Sequence, residues 1–225
     1  MRSRKLKLIT LFLMCSALNG LQAQNTLTVT DIEGKVYQSV TIGKQVWMKE
    51  NLKVTKYCNG DIIGTTTPAT LDITGEKAPK YQWAYNGDEG NVAVYGRLYT
   101  WYALTDSRKV CPAGWHLPSD EDWTALTTFL GGDRIAGGKL KETGAAHWIR
   151  PNTGATNETG FTALPGSYRG SNGTFNHLGN FGGWWSSAEF NTYSAWPRYM
   201  THIVGYVGKY GYGKDIGFSV RCLKD

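Results

Sequence analysis

The chain has 225 residues, 41% of them hydrophobic and 13% aromatic, so it is long enough to bury a core without depending on disulfide bonds. It carries 24 basic and 18 acidic side chains, but four of the basic ones lie between Arg2 and Lys7 and no acidic one precedes Ala23. The remainder holds 20 basic against 18 acidic residues, a net charge of +2. This balance, without a basic stripe, argues against a nucleic-acid partner.

The N-terminal residues are typical of an export signal. A basic start precedes the apolar run 8–18, which is too short to span a bilayer comfortably, and small and polar residues follow. We therefore predict a signal peptide over 1–23, cut after Ala23, and no transmembrane segment after its removal. The protein would then reside in the periplasm, at the cell surface or outside the cell. The alternatives are a lipoprotein signal ending at Cys15, against which Met14 argues, and a buried N-terminal helix.

The first predicted elements after the signal are a hairpin and two helices. Segments 31–37 and 39–47 alternate as strands, with turns at Gly34 and Gly43. Segment 56–80 is polar and lacks periodicity, which indicates an irregular arm. Helical spacing of aromatic and leucine residues predicts a helix over 95–104. A second helix is predicted over 119–130, with Ser119 as its N-cap.

After Gly131 the sequence predicts short strands separated by turns. Candidate strands cover 161–168, 181–187, 195–204 and 217–222, and glycine-rich turns are expected at 170–173 and 206–213. Strands flank two central helices in this order, which predicts an α+β fold with short antiparallel strands and helices segregated from the sheet.

Six segments, taken in order, carry a resemblance to a known family. They are Val46-Trp-Met-Lys-Glu-Asn-Leu52, Tyr95-Gly-Arg-Leu-Tyr-Thr-Trp101, Cys111-Pro-Ala-Gly-Trp-His-Leu-Pro-Ser119, Gly160-Phe-Thr-Ala-Leu-Pro-Gly166, Gly183-Trp-Trp-Ser-Ser187 and Gly217-Phe-Ser-Val-Arg-Cys222. Together they resemble the Fibrobacter succinogenes major paralogous domain, which is common in exported proteins of Bacteroidetes and Fibrobacteres. The resemblance runs from Thr30 to the C-terminus and implies one domain over 24–225. The biochemical function of that family is essentially unassigned.

The family is in turn similar to the C-type-lectin-like fold, especially its formylglycine-generating-enzyme branch. Segment 114–120 resembles that branch's strand-to-helix step, and segment 217–222 resembles its closing strand. The implied fold pairs the N- and C-terminal strands, places two main helices on the sheet, and has a long-loop region between Lys141 and Thr201.

The resemblance also bears on the cysteines. Without the signal, Cys58, Cys111 and Cys222 remain, so one pair and one free thiol is the simplest count for an exported protein. In the implied fold Cys111 and Cys222 lie on neighbouring strands, which predicts a disulfide between them; two buried thiols are the alternative. Cys58 is expected to be unpaired in a loop.

Known site motifs are missing from the sequence. The formylglycine-generating-enzyme branch uses cysteines in its late loop region for its oxygen chemistry, and this chain has no cysteine between Cys111 and Cys222. The calcium-ligand motifs of the lectins are also missing, and no pair of histidines has the spacing of a zinc site. Segment 86–89 could hold a cation, but a plain turn is favoured. We predict no catalytic residue, metal or cofactor.

The aromatic residues remain as candidates. Core packing is expected for Trp47, Trp101, Trp115 and Trp123, and is favoured for Trp184 and Trp185. The candidate ligand-binding residues lie in the late region: Tyr168, Arg169, Tyr193, Trp196, Arg198, Tyr206, Tyr210 and Tyr212.

These residues lead to a functional hypothesis. The hypothesis is that the protein is an exported, non-catalytic binding module of the cell envelope, which recognises an unknown glycan or surface protein through its late loops. The alternatives are a structural subunit of a surface assembly and an enzyme with an unrecognised site. For Tyr206, Tyr210 and Tyr212, filling a loop-rich core is an equal alternative.

Overall fold

The computed structural model describes residues 27–225. Its strands are β1 (Thr28–Thr30), β2 (Val36–Ile42), β3 (Gln45–Met48), β4 (Gln82–Trp83), β5 (Leu98–Tyr99), β6 (Trp115–His116), β7 (Tyr168–Arg169), β8 (Phe175–Asn176), β9 (Phe181–Glu189), β10 (Ser194–Thr201), β11 (Gly208–Lys209), β12 (Tyr212–Gly213) and β13 (Leu223–Lys224). Its helices are α1 (Val92–Tyr95), α2 (Trp101–Leu104), α3 (Asp120–Phe129) and α4 (Asp133–Leu140), and 3₁₀ turns cover Tyr85–Gly87 and Glu89–Asn91. The predicted signal peptide and Cys15 lie outside the described residues.

The N-terminal sheet joins both ends of the described chain. Its strand order is β1-β2-β3-β13-β6, and every pair is antiparallel. Leu223 of β13 lies between Trp47 and His116, so the C-terminal strand pairs with an N-terminal one, as expected. The turns predicted at Gly34 and Gly43 are confirmed by positive φ values at both. The predicted strands 31–37 and 39–47 are wrong, because β2 is one strand that pairs with a neighbour on each side.

The second sheet is built around β10. Strand β9 pairs along one edge of β10, and β11 and β12 pair with different parts of the other edge. The strands predicted at 181–187 and 195–204 are thus confirmed. The glycine-rich segment 206–213 contains two short strands where turns alone were expected. Segment 161–168 is not a strand before Tyr168, and segment 217–222 is held by single bridges. The predicted long-loop region is irregular only as far as Ser167 and then contains β7 to β10.

One of the two predicted helices is confirmed. Helix α3 begins after Ser119, whose hydroxyl accepts the main-chain N–H of Asp122, while the Asp122 carboxylate accepts the N–H of Ser119. The helix predicted over 95–104 is wrong. Gly96 turns the chain with a φ of 72°, and β5 then pairs with β4 between the short helices α1 and α2.

Helix α4 was not predicted from the sequence. It contains Gly137 and Gly138, and glycines inside a helix are unfavourable by about 1 kcal/mol each relative to alanine. The neighbouring loops explain them. A Cβ on Gly137 would lie 2.3 Å from the main-chain oxygen of Tyr206, and one on Gly138 would lie 2.3 Å from that of Gly154. Only glycine permits these close approaches.

Two hydrophobic clusters form the core, one on each side of β9. Trp184 and Trp185 point in opposite directions because neighbouring side chains of a strand alternate, and each is fully buried in a different cluster. Trp47 and Trp123 are buried in the cluster that contains Trp184. Trp101 and Trp115 are buried in the cluster that contains Trp185. The core positions predicted for all six tryptophans are therefore confirmed. The fold is mixed α and β with antiparallel strand pairs and four short helices in residues 27–225. Its C-type-lectin-like assignment stays a prediction.

The cysteine predictions are confirmed. Cys111 and Cys222 form a disulfide with their Cα atoms 5.9 Å apart, and it ties the segment before β6 to the one before β13. Cys58 is an exposed free thiol, and its Sγ donates to the main-chain oxygen of Cys111 at 3.0 Å. The predicted irregular arm, 56–80, contains no helix or strand and is held by single bridges. None of the helices between residues 27 and 225 has the length and apolar composition that crossing a membrane requires.

Candidate functional site

The eight predicted ligand-binding residues do not form one surface. Arg169 and Arg198 are buried, while Tyr193, Tyr206 and Tyr210 are exposed. Tyr168, Trp196 and Tyr212 are half-buried. Their positions separate them into core residues, residues at one end of the β10 sheet, and residues at its other end.

Arg169 lies in the core and fixes the irregular arm. Its guanidinium donates to the main-chain oxygens of Ala69, Gly170 and Leu71, and it stacks on the ring of Trp83 at 4.1 Å. Burial lowers the pKa of Arg169. Because its donors are engaged inside the protein, Arg169 holds the arm in place and does not contribute to an exposed binding surface.

Arg198 has a similar internal role between β10 and α3. One nitrogen of its guanidinium donates to the Asp120 carboxylate at 2.7 Å and to the hydroxyl of Thr124 at 3.1 Å. Lys209 donates to the other oxygen of Asp120 at 2.6 Å. The ion pairs fasten β10 and β11 to the first turn of α3, where a carboxylate also complements the helix dipole.

Four of the predicted residues lie at one end of the β10 sheet, but on both of its faces: Tyr212 pairs with Ala195 and packs toward Phe218, whereas Trp196 lies on the opposite face with Lys209. We call this region the aromatic tip; it consists of Phe190, Tyr193, Trp196, Tyr210 and Tyr212. The Phe190 ring lies 4.4 Å from that of Trp196, and the Tyr210 ring lies 5.6 Å from that of Tyr212. Phe190, Tyr193 and Tyr210 are 53%, 80% and 65% exposed. Phe190 was missed because an apolar residue beside a strand pattern indicates core packing.

The turn that carries the tip is well supported. The Asn191 side-chain oxygen accepts the main-chain N–H groups of Tyr193 and Ser194, both at 2.9 Å. Lys214, which is buried, donates to the Thr192 main-chain oxygen at 2.9 Å and to the Glu189 carboxylate at 2.8 Å. These contacts fix the conformation of the turn.

The Trp196 ring is covered and supports its neighbours. Phe190 packs on it, and the Nζ of Lys209 lies 4.4 Å from the ring centre. A Cβ on Gly211 would lie 2.5 Å from the Phe190 ring, so the β11–β12 connection also packs closely against the tip. Trp196 therefore fixes the position of Phe190 and presents little free ring surface itself.

The two remaining tyrosines lie elsewhere. Tyr206 packs edge-on against Tyr199 at 6.4 Å, near the far end of β10. Tyr168 contacts Phe181 and Phe218 at 5.7 and 5.8 Å and is half-buried with the core. Neither belongs to the aromatic tip, so the structure groups only part of the predicted set.

His116 has two carboxylate partners but no nucleophile. Its Nδ1 lies 2.7 Å from Asp225 Oδ1 and its Nε2 lies 3.3 Å from Asp122 Oδ2. The Ser119 hydroxyl donates to Asp122 and not to the imidazole. A catalytic serine needs its hydroxyl proton directed at a base that can carry it away. This arrangement instead supports the start of α3.

Cys58 and segment 86–89 are likewise occupied by local contacts. Cys58 is exposed as a residue, but partial desolvation of its sulfur raises the pKa of the thiol, which disfavours the reactive thiolate. The Asp88 carboxylate accepts the N–H of Gly90 at 2.9 Å, and Glu89 is paired with Arg97. In the described part of the chain, no group of three or more acidic, histidine or cysteine side chains is arranged to hold a metal ion.

Comparison with known proteins places the chain in one family. Residues 40–224 match the Fibrobacter succinogenes major domain, and this span begins within β2 and contains every later strand and helix of the fold described above. Searches of curated proteins and of solved structures gave no match. The predicted family is thereby confirmed: this chain belongs to the Fibrobacter succinogenes major domain family.

Proposed function

We propose that this protein is an exported, non-catalytic binding module of the cell envelope, and that it recognises glycan through the aromatic tip. The observation that carries the proposal is the exposure of three aromatic rings at one end of the β10 sheet, two on the β9–β10 turn and one on the β11–β12 connection. Phe190, Tyr193 and Tyr210 place large ring surfaces in water, where an aromatic side chain gains by being covered.

The chemistry of the tip suits a sugar ring. One face of a sugar carries C–H groups with a partial positive charge, and the face of an aromatic ring is negative. Hydroxyl groups at the edge of the sugar need donors and acceptors nearby, which Asn191, Lys209 and Glu189 supply. Glu189 and Asn191 flank Phe190 in the chain and Lys209 precedes Tyr210, and this mixture of rings and polar groups favours a glycan over a protein surface, whose contact area would have a more continuous apolar centre.

Export is supported by two features. The disulfide between Cys111 and Cys222 fits an oxidising compartment, and the first 23 residues have the composition of a signal peptide. The resemblance to the C-type-lectin-like fold adds a precedent for binding without catalysis.

The experiment is a glycan array followed by calorimetric titration of any ligand found. We expect Tyr193→Ala and Tyr210→Ala each to weaken binding about fivefold to tenfold, since each removes a ring worth about 1 kcal/mol. Tyr206→Ala is the matched control, because it removes an exposed tyrosine outside the tip. Glycan binding that survives when Tyr193→Ala and Tyr210→Ala are combined in one variant would contradict the proposal. So would a tip-dependent protein partner with no glycan bound.

A second candidate function, a structural subunit of a surface assembly, is favoured by an apolar groove on another face. The ring of Phe129 is largely exposed and packs over Gly43, and with Ile42 and Ala125 it lines a cavity of about 580 Å³. Exposed apolar surface of this kind is used for association. Light scattering of the wild type and of Phe129→Glu tests this function. An oligomer that the substitution dissociates would support it, and a monomeric wild type would exclude self-assembly.

A further inference from the structure

We propose that a pocket on the irregular arm is a second binding site, separate from the aromatic tip, and that it takes one unit of a neutral polyhydroxylated ligand such as a monosaccharide. The threonine pocket, as we call it, lies where the arm meets β4 and the 3₁₀ turns. Its chemistry comes from Thr65, Thr67, Gln82, Glu89 and Arg97, and its volume is about 300 Å³.

The charges of the pocket are already balanced. Arg97 donates to the Glu89 carboxylate through both terminal nitrogens, and its Nε donates to the main-chain oxygen of Lys53 at 3.2 Å. One guanidinium and one carboxylate leave the site with no net charge. A site for an anion would keep its arginine free to form a bidentate pair with the ligand. The threonine pocket therefore favours a neutral ligand.

Gln82 supplies an unused donor. Its Oε1 accepts from Arg97 at 2.9 Å, and because a guanidinium can only donate, the amide NH₂ must face the other way. That nitrogen donates to no atom of residues 27–225, although Gln82 is only 5% exposed. It is not sealed from solvent, so it opens on the pocket that Gln82 lines. Solvent in the pocket can accept from this donor, and an oxygen of a ligand that enters the pocket would take that place.

The rim adds groups that can both donate and accept. Thr65 and Thr67 are exposed and line the pocket, while Thr66 between them points inward and accepts the indole N–H of Trp83 at 2.9 Å. This alternation is that of an extended chain. Opposite them, the side chain of Glu89 is 68% exposed and offers acceptor oxygens. A hydroxyl of a ligand donates once and accepts as well, so a row of hydroxyls matches this mixture of an amide donor, carboxylate acceptors and threonine hydroxyls.

The walls of the pocket are fixed by the core. Trp83 is held between the hydroxyl of Thr66 and the guanidinium of Arg169, which also anchors the arm through Ala69 and Leu71. The polar groups are thus positioned before a ligand enters, which favours selective recognition. A volume of about 300 Å³ is at the lower end for ligand pockets, so we expect the site to take a single sugar unit.

The test is an NMR titration of the full chain with ¹⁵N labelling, against neutral monosaccharides and alditols one at a time. At about 50 mM, far above a Kd of about 1 mM, at least one sugar should saturate shifts of the Gln82 side-chain amide. Inorganic phosphate and acetate should not. No response to any sugar, or a response to the anions instead, would overturn the proposal.

Variants assign the response to the pocket. Gln82→Glu keeps the oxygen that Arg97 needs and removes the NH₂ donor, so affinity should fall about tenfold or more. Thr67→Val removes one exposed hydroxyl at the rim, should leave folding intact, and should weaken binding about threefold to tenfold. Thr70→Val, a change in the same arm outside the lining, is the matched control and should bind like the wild type. Unchanged affinity in Thr67→Val and Gln82→Glu would contradict the assignment.

The two sites can be tested separately. Tyr193→Ala at the aromatic tip should leave binding at the threonine pocket unchanged, and Thr67→Val should leave glycan binding at the tip unchanged. A failure of one proposal would therefore not be mistaken for a failure of the other.

Discussion

Asn51 joins distant parts of the core, and its loss should be among the most damaging single changes. Its side-chain oxygen accepts the indole N–H of Trp184 at 2.8 Å and two N–H groups of Arg221 at 3.1 and 3.3 Å. Its amide nitrogen donates to the main-chain oxygen of Tyr95 at 2.9 Å. The side chains of Asn51, Trp184 and Arg221 are buried, so no water can replace these bonds without entering the core.

The size of the effect follows from these contacts. In Asn51→Ala the indole N–H of Trp184 loses its acceptor, which costs about 1–3 kcal/mol, and the buried charge of Arg221 loses part of its solvation, which costs a similar amount. Arg221 keeps the main-chain oxygens of Phe161 and Thr162, which limits the loss. We expect the free energy of unfolding to fall by about 3–5 kcal/mol, a large share of the 5–15 kcal/mol that is usual for a domain.

The assay is urea denaturation followed by tryptophan fluorescence and far-UV circular dichroism. Asn51→Asp is the comparison variant: it keeps an oxygen for Trp184 and Arg221 and adds a negative charge that pairs with the Arg221 guanidinium, although an oxygen replaces the donor to Tyr95. Its destabilisation should be much smaller than that of Asn51→Ala. A loss below about 1 kcal/mol in Asn51→Ala, or equal losses in both variants, would refute the role assigned to the Asn51 oxygen.

Three further predictions concern stability. Replacing Cys111 and Cys222 by alanine opens a loop of 111 residues and should lower the free energy of unfolding by about 4–5 kcal/mol in urea titration; a loss below about 1 kcal/mol would contradict this. Gly137→Ala should destabilise by about 1–3 kcal/mol despite the better helix propensity of alanine, because its Cβ would meet a main-chain oxygen at 2.3 Å; a raised Tm would show that the loop yields. Hydrogen bonds from Arg108 hold the pKa of Asp106 far below its ordinary value, so the carboxylate stabilises the fold above about pH 4 and this contribution is lost as the pH falls through the lower, folded pKa. Asp106→Asn should therefore lower Tm at pH 7, and its difference from the wild type should shrink in acid; a constant difference would be inconsistent with the ion pair.

The candidate site was only partly predictable from the sequence. The concentration of aromatic residues after Tyr168 indicated a binding surface, and the structure gathers Tyr193, Trp196, Tyr210 and Tyr212 at one tip. It also places Arg169 and Arg198 in the interior, where they fasten segments together. An arginine near tyrosines looks the same in a sequence whether it faces solvent or the core, since its partners can lie far away. Arg169 contacts Ala69 across 100 residues of the chain.

The sequence by itself determined the features that depend on neighbouring residues. The cap at Ser119 and the turns at Gly34 and Gly43 need only a few adjacent positions, because capping bonds and positive φ angles are local. The six ordered segments were enough to identify the family. The disulfide followed from the fold that this resemblance implies.

Only the tertiary structure decided the rest. The helical spacing over 95–104 gives way to a strand because Leu98 and Tyr99 pair with β4, and α4 keeps Gly137 because a loop lies against it. The unpaired NH₂ group of Gln82 can be identified only from the structure, because the hydrogen bond from Arg97 to the Gln82 oxygen fixes the orientation of the amide. These outcomes depend on contacts between residues far apart in the chain, and their energies of about 1–3 kcal/mol exceed the local preferences of a few tenths to about 1 kcal/mol that a sequence pattern reports.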